Sequence, residues 1–187
     1  MKRSLILVSS VMLLLWASIG WAGSTSDAAA LFRDSSQSSS YFANSYGYAI
    51  FPTIGKGGLV VGAAHGNGEV YVHGKHVGNT SMTQLSVGAQ AGGVAYSQII
   101  FFENKAAFET FTEGNFEFDA GASAVLITAA AGADVGTKGA SGHASGDKHS
   151  AKTAGGYYKG MAVFTIVKGG AMYQATIAGQ KFSYTPL

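Results

Sequence analysis

Residues 49–62 read AIFPTIGKGGLVVG, and a shortened copy, AVFTIVKGGAMY, returns at residues 162–173. With one gap at Pro52, Phe51 meets Phe164, Thr53 meets Thr165, Ile54 meets Ile166, and Lys56-Gly57-Gly58 meets Lys168-Gly169-Gly170. Each copy is an apolar, β-branched run broken by a Lys-Gly-Gly corner and followed by a second apolar run, which is the pattern of strand, bend, strand. The rest of the chain extends that reading. Twenty-seven glycines, two prolines and 47% hydrophobic residues fit many short strands joined by tight turns. The expected fold is of the α+β class, with mainly antiparallel strands curved into a barrel-like or sandwich core, an N-terminal helix and one short internal helix.

Strands are expected at 46–51, 58–64, 82–91, 97–102, 122–130, 161–167, 171–177 and 181–184. Val70 and Val72 alternate with Glu69, Tyr71 and His73, as a half-exposed strand requires. Asn67-Gly68 before that strand carries a type I′ hairpin signal, and Gly74-Lys75 after it suits a II′ turn. Ser26 or Asp27 is placed to cap a helix over residues 28–42, although the serines from Ser35 to Ser40 weaken it. A second helix starts at the capping Asn104, sets Phe108 and Phe111 on one face and stops at Gly114. Residues 136–156 contain no large apolar side chain, so they read as a flexible loop.

Beyond these elements the chain resembles a known family. The run A-I-F-P-x-x-x-K-G-G-x-x-V-G, then V-G-A-Q-A-G-G at residues 87–93, F-F-E-N-K-A-A-F-E at 101–109 and G-A-x-A from Gly121 are similar to the SYLF domain family. The resemblance runs from Asp27 to Leu187. That family is a lipid-binding module, attached to trafficking and actin-patch proteins in eukaryotes and found alone in secreted bacterial proteins. In the eukaryotic members it implies an amphipathic helix before the A-I-F-P motif that inserts into phosphoinositide membranes. The corresponding helix here has Arg33 as its cation, a poor match to a multiply charged headgroup.

The N-terminus suggests a compartment. Lys2 and Arg3 precede the apolar stretch from Leu5 to Trp16, and Gly20 and Ala22 flank Trp21 as a cleavage signal, so residues 1–22 read as a signal peptide and 23–187 as the mature SYLF-like domain. The expected location is periplasmic or extracellular. The absence of cysteine excludes a lipidated lipoprotein and any disulfide staple. Cleavage would also remove Lys2 and Arg3, taking the formal charge from +2 to zero. A neutral chain has no general attraction for nucleic acid or an anionic membrane, so lipid contact would rest on apolar burial with a few local cations.

Catalytic constellations are missing from the sequence. There is no thiol nucleophile and no G-x-S-x-G elbow, and Gly55-Lys56-Gly57-Gly58 lacks the spacing of a phosphate-binding loop. His65, His73 and His76 lie around one hairpin but have no carboxylate or thiol at ligand-like spacing, so they read as solvent-facing residues rather than a metal site. The crowded aromatics, among them Tyr41, Tyr46, Tyr48 and Tyr157, read mainly as core. The sequence therefore points to a non-enzymatic module without a cofactor that binds phospholipid or a membrane surface. Leu31, Phe32 and Phe42 would insert, and Arg33, Lys56 and Lys168 would meet lipid phosphates. A protein-interaction or structural domain of the cell envelope is the second reading, with actin disfavoured by the compartment.

Overall fold

The computed structural model of the chain describes residues 23–58, 61–87, 92–114, 116–119, 122, 124–127, 156–169, 177 and 179–187. The expected signal peptide, all but Gly156 of the loop expected at 136–156 and all but Ile177 of the strand expected at 171–177 lie outside them. Seven strands form one sheet: β1 Gly47–Gly58, β2 Val61–Val72, β3 Lys75–Val87, β4 Gly92–Phe102, β5 Val125–Ile127, β6 Met161–Gly169 and β7 Gln180–Pro186. Their order is β5-β6-β4-β1-β2-β3-β7. Every neighbouring pair is antiparallel except β5 with β6. The fold is thus α+β with a mostly antiparallel sheet. Its outer strands, β5 and β7, do not pair with one another, so the sheet is not a closed barrel.

It is nonetheless strongly curled. In a flat sheet β4 and β7, four strand spacings apart, would lie roughly 19 Å from one another. Instead Gln98 Nε2 on β4 donates to Gln180 Oε1 on β7 at 2.8 Å, and Gln180 Nε2 donates back to Gln98 Oε1 at 3.1 Å. Two features of the sequence permit the bend. The register of β1 slips between Ile50 and Thr53, around Pro52, and such a bulge sharpens twist. On β2, Gly66 and Gly68 face the inside of the curl, where an added Cβ would lie 2.6 Å from the Ile54 side chain and 2.7 Å from the Phe51 ring respectively.

The curl divides the apolar residues into two cores. Inside it, Phe51, Ile54, Val70, Met82, Ile100, Phe102 and Phe182 pack with Phe111 of the internal helix. Outside it, Ile50, Ile99, Phe101, Phe164 and Ile166 pack under Ala28, Ala29 and Phe32 of the N-terminal helix. The unbroken run Ile99-Ile100-Phe101-Phe102 serves both faces of β4, as a strand covered on both sides must. β2, covered on one side, alternates between exposed and buried over most of its length. Lys56 and Lys168 lie toward the same end of the sheet on strands separated by β4, and the two copies are not equivalent: Phe51 points into the curl whereas Phe164 points out of it.

The helices follow their caps. α1 (Thr25–Asp34) begins at Ser24, which forms a reciprocal capping box with Asp27, and it ends where the serines begin. It is shorter than the expected 28–42, because serine side chains compete for backbone hydrogen bonds and only a separate turn of helix, α2 (Tyr41–Asn44), follows them. α3 (Lys105–Thr112) is capped by Asn104 Oδ1, which accepts from Ala107 N at 3.0 Å. It is closed by Gly114 at φ +83, as the sequence predicts. Past α3, Phe182 N donates to Phe116 O and Phe118 N to Gln180 O, so this segment covers the outer edge of β7.

One turn is corrected. Asn67 and Gly68 are not a hairpin corner but mid-strand residues of β2. The reversal occurs at His73-Gly74, with φ of 48 and 78, the positive pair that a type I′ turn requires. The Asn-Gly signal fails because Gly68 is needed for its lack of a side chain against Phe51, not for its backbone freedom.

The buried amide pair supplies the first prediction. Gln180→Ala strands the Gln98 amide and removes a partner of the Tyr96 hydroxyl, which lies 3.5 Å from Gln180 Nε2. It should cost about 2–3 kcal/mol in urea denaturation. Replacing Gln98 and Gln180 together by methionine should cost less than about 1.5 kcal/mol, since no buried amide is then orphaned.

Candidate functional site

The six residues expected to contact lipid fall in three places. At the C-terminal end of α1, Leu31 is exposed whereas Phe32 is fully buried in the outer core. The Arg33 guanidinium sits 4.7 Å from the Phe42 ring centroid. Phe42 is itself half-buried, edge-on to Phe101 at 4.9 Å and to Tyr48 at 5.3 Å. The aromatics around it, including Tyr41 against Phe164 at 5.0 Å, are packed core. Of the helical candidates, Leu31 is the large apolar side chain that faces water.

Lys168 lies at the opposite end of the helix. Its ammonium donates to Thr53 Oγ1 at 3.2 Å. Burial pulls its pKa below the usual lysine range, and the Asp27 carboxylate opposes that shift. Lys56 stands opposite Ala64 and Val94 in the sheet. Because Ala64 is buried in the inner core and directly opposed residues share a face, the half-buried Lys56 faces the inside of the curl. Arg33 neighbours Tyr48, eight residues along β1 from Lys56, which is roughly 25 Å of strand. The three cations form no single cluster.

The structure brings forward residues that the sequence reading passed over. Beyond Gln84, where pairing of β3 with β7 stops, β1 to β4 continue as an arm. On its outer face Leu85 is 78% exposed and Val61 is 61% exposed. Ala63 lies opposite Leu85 and Val61 lies opposite Val87, which makes Val61 and Leu85 diagonal neighbours. Gly55, Gly57, Ala63 and Gly93 are exposed beside them, and none of these positions is charged. A solvent-facing sheet surface ordinarily carries polar side chains. A signal was present in the sequence: from Met82 to Leu85 the alternation inverts, with polar Gln84 turned inward and Leu85 outward.

The inner face of the arm leads to a polar layer. Gln84, Gln98, Gln180 and Thr165 are buried there, beside the Tyr96 hydroxyl, whose pKa burial pushes up to about 12. The histidines make ring contacts: His73 packs edge-on against Tyr46 at 4.9 Å, and His76 stacks on Tyr71 at 5.3 Å. Among the described residues no group of three or more His, Cys, Asp or Glu is arranged to hold a metal ion. No helix among them is long and apolar enough to cross a membrane.

No protein-family model matches the chain. Over 154 residues, 81% of its length, it is 30% identical to Beta cell expansion factor A of Aeromonas veronii. The matched region is 51% of that protein, so the chain spans about half the length of the curated relative it matches.

Proposed function

We propose that this chain is a non-enzymatic module of the SYLF type that binds a phospholipid membrane, acting in the periplasm or outside the cell. The observation that carries this reading is the outer face of the arm, where Val61 and Leu85 stand in water on neighbouring strands and no described position beside them is charged. Single exposed apolar residues are ordinary. Two large neighbours on a surface free of charge, in a chain whose sequence resembles a lipid-binding family, favour an apolar partner phase. Lys56, at the same end and on the opposite face, is the cation best placed for a lipid phosphate. Leu31 and Arg33 form a second, smaller contact at the far end of the sheet.

Flotation of the protein with neutral and anionic phosphatidylcholine-based vesicles tests the reading. Burying a leucine and a valine contributes about 1.5–3 kcal/mol each. Val61→Asp combined with Leu85→Asp should therefore weaken vesicle partitioning by about a hundredfold or more, while raised salt should weaken it little. Undiminished partitioning of the double variant would overturn the assignment to the arm. Failure of the unaltered protein to float with either vesicle would favour the protein-interaction reading.

A further inference from the structure

The outer face of the sheet is divided in two. α1 covers β6, β4 and β1, and beside its first turn an open groove of about 500 Å³ begins over β2, β3 and β7. Its floor is built in register. Asn67, Ser81 and Ser183 form one row across the three strands, and Glu69, Asn79 and Thr185 form the next. Its walls are Thr25, in the first turn of α1, and Pro52, at the bulge of β1.

The chemistry of this lining is selective. Glu69 supplies the single charge among the lining residues, and both its oxygens are held: Thr25 Oγ1 donates to Oε1 at 3.0 Å and the Tyr71 hydroxyl donates to Oε2 at 2.5 Å. Each oxygen keeps a further lone pair for an incoming donor. Among the described residues no hydrogen bond engages the side-chain amide of Asn67 or Asn79, and each amide offers donors and an acceptor. The remaining hydroxyls are short and cost little conformational entropy to fix. A phosphate or carboxylate ligand would meet Glu69 without a compensating cation. Ser81 and Ser183 already share a hydrogen bond at 2.6 Å, so an apolar ligand would strand chiefly the two amides, which is costly. A neutral polyhydroxylated molecule, donating and accepting at closely spaced hydroxyls, pairs with all of them, and the Pro52 ring offers an apolar wall to its C–H face. The groove also lies within the size range of small-molecule sites.

We propose that this groove is a binding site for a neutral saccharide. It is separate from the uncharged arm face, so it stands or falls independently of membrane binding. The test is a titration of the isotopically labelled full chain with triacetylchitotriose, maltotriose and mannotriose, followed by amide NMR spectra, with inorganic phosphate as a comparison. At least one trisaccharide should shift amides around Asn67, Glu69, Asn79 and Ser81 saturably, and phosphate should not. Asn79→Ala and Glu69→Gln should each weaken that affinity by about tenfold, whereas Leu85→Asp should leave it unchanged. Thr185→Ala provides an independent variant, and thermal melting establishes which variants are folded. The proposal is overturned if no trisaccharide produces saturable shifts, if the shifts map away from the groove, or if folded groove variants bind as the unaltered chain does. If a glycolipid carrying the same sugar floats the protein while the free sugar does not bind, the groove is again excluded and the arm accounts for the contact.

Discussion

Gly68→Val is expected to destabilise the protein by about 3 kcal/mol, lowering the thermal midpoint by roughly 10 °C in a domain of this size. A Cβ at this position would lie 2.5 Å from the Ile50 carbonyl oxygen and 2.7 Å from the Phe51 ring. Neither neighbour has room to retreat, because Ile50 and Phe51 are both fully buried, one in each core. The residue thus sits where the bulged strand presses tightly on its partner. Gly55→Ala is the matched control, since a Cβ there meets nothing within 4 Å, and it should change the midpoint little. Differential scanning calorimetry of the two variants measures the contrast. A Gly68→Val protein melting with its parent would contradict the tight inner packing of β2 on β1.

The second large effect is expected at Phe32. Truncation to alanine removes a fully buried ring beneath α1 and should cost about 3–5 kcal/mol. Leu31→Ala, one residue earlier and 44% exposed, should cost under about 1 kcal/mol. The pair separates stability from membrane contact. Loss of vesicle binding by Phe32→Ala follows from a loosened helix, while loss by a folded Leu31→Ala follows from a lost contact. Chemical denaturation run beside flotation distinguishes them. If Phe32→Ala keeps the parent's stability, the helix is not anchored on the sheet as described.

Much of the architecture was legible in the sequence because it is written in local terms. Asn104 and Gly114 bracket α3 as cap and stop. Ile99 to Phe102 announce a strand buried on both faces, and Val70 and Val72, alternating with Glu69, Tyr71 and His73, announce one covered on a single face. What remained hidden depends on contacts across the sheet. Gly68 carries the same local signature whether it makes a turn or admits a phenyl ring, and Phe51 decides which. The lipid candidates on α1 were chosen for apolarity, yet burial of Phe32 depends on Ile50, Ile99 and Phe101 lying beneath it. Leu85 was passed over because the inward direction of Gln84 follows from a partner 96 residues away, Gln180, opposite which it pairs.

The reciprocal amide bond between Gln98 and Gln180 also has a temporal meaning. It spans 82 residues of chain, and β7 is joined to β3 by side-chain bonds spanning 102 and 103 residues. Contacts of such separation repay their loop-closure entropy only when the intervening segments are in place. The six other strands described can pair among themselves, but the interior stays open until β7 docks against β3. Completion of the inner core waits on that docking, so assembly has a built-in order in which the polar clasp is the final event.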